Sequence, residues 1–197
     1  MLALVFVAGA FLLGSVPFAI LVSKAMKLPD PRTYGSSNPG ATNVLRSGNK
    51  LAAVLTLLGD AFKGWLAVFL AHYFMPSQYW AVFLVAIAVF LGHVFSVFLQ
   101  FNGGKGVATA LGVLLALKPV MALVALGVWL AVAAISRYSS VAALSAALAA
   151  VCYSLFAFMP GWYIFATVVM AGLLIWRHVP NILNLLAGTE TKIGAKK

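Results

Sequence analysis

Three short runs of this chain carry most of the residues able to do polar chemistry. The first is Tyr34-Gly-Ser-Ser-Asn-Pro-Gly-Ala-Thr-Asn-Val-Leu-Arg46 and the second is Phe101-Asn-Gly-Gly-Lys-Gly-Val-Ala-Thr109. The third begins Arg177-His-Val-Pro-Asn181 and continues to Glu190. In the first, Asn-Pro-Gly signals a turn, and small residues let backbone N–H groups converge on an anion. Ser36, Ser37, Asn38, Thr42 and Asn43 add polar side chains, and Arg46 can clamp a phosphate through two parallel hydrogen bonds. The bland alternative is a solvated loop before a helix, capped by Thr42 or Asn43.

The second run sets Gly103, Gly104 and Gly106 around Lys105 at the start of a short apolar stretch. Glycine lets backbone approach a ligand, and a helix N-terminus favours an anion. This is not a nucleotide P-loop, because Lys105 is followed by Gly106 instead of Ser or Thr and no strand precedes it. The competing reading is a glycine hinge with a snorkelling lysine. In the third run, His178 and Asn181 share a face if the helix continues, and His178 could serve as acid, base or neutral donor. Glu190 is the only acid in the C-terminal half, and Arg137 with Ser140 forms a further small polar cluster.

The remaining polar residues lie inside apolar segments. Asp60 and Lys63 stand three apart on one helical face, either as a structural ion pair or as part of the site. Roughly 12 Å of helix separates His93 from Phe101, which makes His93 a tie beneath the second run. His72 falls at the far end of its apolar segment. Ser15 and Pro17 suit a kinked first segment.

What positions these groups is set by composition. Hydrophobic residues make up 64% of the 197, only 8% are charged, and the mean hydropathy is +1.07. A soluble domain carries roughly 25% charged residues, so lipid must be the solvent for most of this chain. Thirteen Lys and Arg oppose three acids, for a net charge of +10. These cations sit beside apolar segments, which points to membrane topology and anionic substrates and away from nucleic acid. The one cysteine, Cys152, lies in an apolar run without a disulfide partner, and no Cys/His spacing suggests a metal. The N-terminus lacks the basic flank of a cleaved signal peptide, so the first apolar run is expected to stay as a span.

A bilayer crossing takes about 20 apolar residues. The candidates are Leu2–Val22, Leu51–Tyr73, Tyr79–Phe101, Val120–Ile135, Val141–Phe158 and Trp162–Trp176, with a half-length Val107–Leu117 before Lys118-Pro119. Counting that short run as a span puts Lys24, Lys27, Arg32, Arg46, Lys50, Lys105, Arg137, Arg177, Lys192, Lys196 and Lys197 on one side. Only Lys118 falls opposite, and Lys63 lies within a span. The positive-inside rule therefore favours seven spans over six. The expectation is an all-α polytopic membrane protein in one domain, residues 1–197. It has seven transmembrane helices, the fourth short, with the N-terminus outside and the C-terminus cytoplasmic. All three polar runs then face the cytoplasm, and the short spans leave room for a cleft.

The ordered motifs resemble the bacterial acyl-phosphate:glycerol-3-phosphate acyltransferases, the PlsY family. The likeness runs through Gly14-Ser-Val-Pro-Phe18, the first polar run, Leu57-Leu-Gly-Asp-Ala-Phe-Lys-Gly64, Gly92-His93, the second run to Gly112, and Arg177-His178 with Asn181. Asn102 departs mildly from the basic residue expected there. The resemblance implies transfer of a fatty acyl group from acyl phosphate to the 1-hydroxyl of sn-glycerol 3-phosphate at a bacterial inner membrane, with no cofactor. It implies that Ser36 or Ser37 and Arg46 are needed for activity, and that Gly103, Gly104, Lys105 and Gly106 bind glycerol 3-phosphate. It implies that His178 and Asn181 act in catalysis, with Glu190 more structural. The enzyme that forms the acyl phosphate is a candidate partner.

The residues agree with that reading on separate grounds. Acyl phosphate carries a good leaving group, so no acyl-enzyme is required, and the chain shows no nucleophile triad. Nor does it hold the His-x-x-x-x-Asp signature of other glycerolipid acyltransferases: Ser77, Phe98 and Leu183 stand where the Asp would be. Positioning and electrostatics would carry the reaction, with the base either His178 or a substrate phosphate oxygen. The rival class is a transporter of a phosphorylated metabolite, which should line both membrane faces with cations.

Overall fold

A computed structural model describes residues 1–194, so Lys196 and Lys197 lie outside the described residues. Ten α-helices and one 3-10 turn account for the ordered backbone, with no strand among the described residues. They are α1 (Leu2–Ser15), α2 (Phe18–Ala25), α3 (Ala41–Leu45), α4 (Lys50–Phe74), α5 (Tyr79–Val94), the turn Val97–Leu99, α6 (Val107–Leu117), α7 (Pro119–Ser136), α8 (Ser139–Phe156), α9 (Gly161–Arg177) and α10 (Val179–Leu186).

By length and composition four segments can cross a bilayer alone: α4, Tyr79–Leu99, α7 and α8. The pairs α1 with α2 and α9 with α10 reach that length only together, bent by 44° and 53°, which makes up to six. The short α6 is the additional apolar helix.

Local chemistry explains the breaks. Pro17 has no N–H to continue α1 and pushes Val16 into an extended conformation, observed at ψ 117°. The kink expected from Ser15 and Pro17 is therefore present. Lys118 is extended as well, and Pro119 opens α7 at its first turn. Asn49 caps α4, its Oδ1 accepting from the Ala52 N–H at 3.0 Å. This corrects the expectation of a Thr42 or Asn43 cap: both lie inside α3.

The third apolar segment departs most from expectation. Its run of apolar residues suggested a helix to Phe101, but α5 stops at Val94. The chain after it folds back, and the N–H groups of Gly103 and Gly104 donate to the carbonyls of Val94 (3.0 Å) and His93 (3.1 Å). These bonds satisfy carbonyls that a helix end leaves orphaned. Gln100 and Phe101 take the left-handed conformation to make the reversal, at φ 52° and 61°.

Small residues bring the helices together. A Cβ on Gly64 of α4 would collide with the Thr109 carbonyl of α6, and one on Gly112 of α6 with the Ala61 carbonyl of α4. Such reciprocal close approach suits helices associating in lipid, where packing replaces the hydrophobic drive. The buried core runs through α4, α5, α6, α7, α8 and α9, with Val68, Val85, Phe90, Val113 and Met121 fully enclosed.

Candidate active site

All three polar runs meet at one cavity of about 610 Å³. Ser36, Asn38, Thr42, Asn43 and Arg46 line it from the first run, Lys105 and Gly106 from the second, and His178, Asn181 and Glu190 from the third. Ser140 joins them from α8. The cavity also has an apolar extension. On α9 its lining passes from His178 through Leu174 and Met170 to Thr167, and on α8 from Ser140 through Ala143 and Ala147 to Ala150. At 1.5 Å per residue these stretches span roughly 15 Å, so the extension runs well into the apolar layer.

Lys105 is the centre of the polar end. Its Nζ donates to Asn181 Oδ1 at 2.5 Å. Asn181 Nδ2 donates in turn to Glu190 Oε1 at 2.8 Å, and Ser140 Oγ donates to the same oxygen at 2.8 Å. Glu190 thus joins α8 to α10 and fixes which way the Asn181 amide faces. Burial pushes the Lys105 ammonium down to about 8, and the cations Arg177 and Arg46 push the same way, while Glu190 opposes them. Among the described residues, the cavity lining holds the cations Arg46, Lys50 and Lys105 and two carboxylates, Glu190 and Asp60, of which Asp60 is paired with Lys63.

His178 is buried just beyond the last residue of α9. Its Nδ1 lies 2.8 Å from the Leu174 carbonyl, which can only accept, so Nδ1 carries the proton. Nε2 is then the acceptor atom of the ring. Burial, with Lys105 and Arg177 nearby, lowers its affinity for a second proton. The imidazole is accordingly neutral near pH 7.

Several expected residues hold other positions. The amides of Gly103 and Gly104 are committed to the end of α5, and neither residue lines the cavity. Their backbone forms a bridge from the end of α5 to Lys105. Arg177 Nη2 fastens the bridge by donating to the Gly103 carbonyl at 2.8 Å. Gly106 does line the cavity, at φ 89°, where a Cβ would strike the buried Phe90 ring. Ser37 is exposed and outside the cavity lining, in the left-handed region at φ 54°, whereas Ser36 faces in. Asn43 shapes the first loop: its Oδ1 accepts from the Ser36 N–H at 3.0 Å, and its Nδ2 donates to the carbonyls of Pro31 (2.6 Å) and Tyr34 (3.2 Å).

His93 is not 12 Å from the glycine run. Because the chain folds back, Gly104 rests against its ring, and both His93 and Asp60 line the cavity. The hydroxyls of Thr42 and Ser139 meet at 3.1 Å, a link between the first loop and α8 that sequence reading missed. Tail residues after Glu190 are tied across the α7–α8 turn, where the Ile193 N–H donates to the Arg137 carbonyl at 2.7 Å.

Comparison with known proteins matches residues 4–188 to the family model described as glycerol-3-phosphate acyltransferase. The chain is 62% identical over 191 residues to the glycerol-3-phosphate acyltransferase of Laribacter hongkongensis, covering 95% of this chain and 94% of the relative. It is 58% identical over 197 residues to that of Bordetella petrii, covering 97% and 93%. Among solved structures it is similar to PlsY, an integral membrane glycerol 3-phosphate acyltransferase, in its glycerol 3-phosphate form. That likeness has a TM-score of 0.94 and 39% identity, covering 98% of this chain and 96% of the other. The lysophosphatidic acid form of PlsY matches with a TM-score of 0.93 at the same identity and coverage.

Proposed function

The chain belongs to the PlsY family of glycerol-3-phosphate acyltransferases, and from that premise we propose how its cavity divides the work of the reaction. The enzyme moves a fatty acyl group from acyl phosphate to the 1-hydroxyl of sn-glycerol 3-phosphate, giving lysophosphatidate and phosphate. Both substrates bring a phosphate, and the donor also brings an apolar tail. One cavity lined by the cations Arg46, Lys50 and Lys105, with an apolar extension between helices, meets both needs, and that observation carries the proposal.

Lys105 and Arg46 hold the two phosphates, and Arg177 keeps the bridge bearing Lys105 in place. Ser36, Asn38 and Thr42 supply donors at the rim. The acyl chain lies along the apolar lining of α8 and α9. As the 1-hydroxyl attacks the carbonyl carbon, the C–O bond to phosphate breaks and negative charge builds on the departing oxygen. Fixed cations aimed at that charge lower the barrier without reorganising. His178 Nε2 accepts a hydrogen bond from the 1-hydroxyl and orients it. The hydroxyl proton ends on the leaving phosphate, directly or through Nε2, so the reaction balances without a covalent acyl-enzyme. Asn181 and Glu190 hold Lys105 in register.

The same proposal includes seven spans, with α6 as the fourth. It places the N-terminus outside and the polar runs at the cytoplasmic face of a bacterial inner membrane. The distribution of Lys and Arg supports it. Purified protein given radiolabelled glycerol 3-phosphate with palmitoyl phosphate, palmitoyl-CoA or palmitoyl acyl carrier protein tests the chemistry. Lysophosphatidate should form with palmitoyl phosphate alone. Equal rates with the thioesters would refute a site built around two phosphates.

A further inference from the structure

Asp60, Lys63 and His93 are all buried, yet the reaction as described uses none of them. Their relative exposures are 3%, 1% and 8%. Lys63 Nζ lies 2.7 Å from Asp60 Oδ1 and also donates to the Val16 carbonyl at 2.7 Å. That carbonyl sits at the break between α1 and α2, where Pro17 interrupts the helical hydrogen bonds. His93 Nδ1 stands 3.5 Å from the same Asp60 oxygen. The opposite edge of the ring supports Gly104. The three atoms nearest to a Cβ added there all belong to the His93 imidazole, and Gly104 does not take a left-handed φ, so the ring rather than the backbone excludes a side chain. Asp60 and His93 also border a small second cavity of about 10 Å³ with Ser15 and Ser96, the size of one water.

We propose that His93 is a positioning residue for the acyl transfer, acting through Lys105. Asp60, itself held by Lys63, fixes the imidazole. The ring forms the seat on which Gly104 rests. Gly103 is drawn onto the end of α5 by its N–H and clasped by Arg177 at its carbonyl. With Gly103 held at both its N–H and its carbonyl and Gly104 seated on the ring, the residue that follows them, Lys105, is delivered to a single place beside Asn181. Loss of the ring leaves the loop's main-chain bonds intact and frees only its tilt. The effect therefore falls on the anion that Lys105 holds.

The inference rests on reading Lys105 as the holder of glycerol 3-phosphate. A double-mutant cycle tests it, with H93A, K105A and H93A/K105A purified in detergent and the KM for glycerol 3-phosphate and kcat measured separately. Each single variant should raise that KM about tenfold or more, and the double should be no more than about twofold worse than the worse single, since coupled residues are not additive. Effects that multiply would overturn the proposal. An unchanged KM in K105A would overturn the reading of Lys105 itself.

A size exchange gives an independent check. G104A should lose most activity, and G104A/H93A should recover several-fold over G104A because the ring no longer blocks the methyl. A double variant no better than G104A would also overturn the proposal. H93N keeps a donor for Asp60 and replaces H93A in both experiments if H93A does not yield monodisperse protein.

Discussion

On one side of the Gly103–Gly104 bridge lie Asp60, Lys63 and His93; on the other lie Lys105, Asn181 and Glu190. The first is built from fully buried side chains, whereas in the second Asn181 is buried and Lys105 and Glu190 are half-buried, and the two close their charge differently. In the first, one ammonium faces one carboxylate at 2.7 Å, its second bond goes to a backbone carbonyl, and a histidine completes the shell. Little is left over for a ligand. In the second, Glu190 spends one oxygen on Ser140 and Asn181, and among the described residues Lys105 has the Asn181 amide oxygen as its one hydrogen-bond partner. Arg46 and Arg177 add to the imbalance. A buried charge without a counter-charge is costly. Such a surplus of positive charge suits an anionic ligand. On the proposed reading the closed cluster is scaffold and the open one is the working end.

Breaking the closed cluster should have the largest effect. K63M leaves Asp60 as a buried carboxylate without its cation, and removal of one partner from such a pair costs about 3–5 kcal/mol. The thermal midpoint in detergent should drop sharply for K63M, whereas D60N/K63M should lose much less than the two singles combined. Additive losses would mean that the pair is not the unit described.

Breaking the open cluster should spare the fold. K105M removes a cation from transition-state stabilisation, an effect of about 10²–10³ in rate for a single preorganised donor. Its melting temperature should stay level or rise, because the burial penalty disappears. A K105M protein that unfolds early would place Lys105 with the scaffold.

His178 sharpens the distinction further. H178Q retains an amide able to accept a hydrogen bond at the end of a similar reach but cannot take a proton. If the ring only orients the hydroxyl, H178Q should keep a measurable rate and the same pH–rate shape as the unmodified enzyme. If it serves as base, the loss should reach about 10²–10⁴ and the acidic limb, where the ring would take up a second proton, should change.

The smallest effect should come from the rim. T42V deletes the hydroxyl that meets Ser139 and should cost about 1 kcal/mol, typical of one net hydrogen bond. The expected readout is a several-fold rise in the KM for glycerol 3-phosphate with kcat nearly unchanged.

Legibility in the sequence followed the kind of physics involved. Helix limits set by backbone chemistry could be read directly. Gly106 and Lys118-Pro119 delimit α6, and its observed bounds match the expected run. Pro17 marked the first kink in the same way. The polar end of the site was legible because charged and amide groups in an apolar chain have few reasons to cluster. What stayed hidden depends on where backbone donors go. Nothing in the apolar run through Phe101 reveals that Gly103 and Gly104 turn back to the carbonyls of His93 and Val94. Hydropathy counts side chains and is blind to main-chain hydrogen bonds. From that one omission came two misplacements, the length of α5 and the distance of His93, and it also hid that the amides of Gly103 and Gly104 are engaged at the end of α5. Nor does the sequence show that Asn43, which lines the cavity, also staples the first loop through its amide group.

The central claim is that Lys105 and its neighbours form an anion site through surplus positive charge. Direct binding of radiolabelled glycerol 3-phosphate to the purified protein between pH 7 and 9.5 tests it most simply. The free ammonium titrates at about 8, and a bound dianion beside it would favour the charged form and raise that value. Binding then takes up a proton over the interval between the two values. Affinity should hold below pH 8, fall as pH rises beyond it, and be weak and nearly flat with pH in K105M. Tight binding by K105M with the same pH dependence as the unmodified protein would contradict the account.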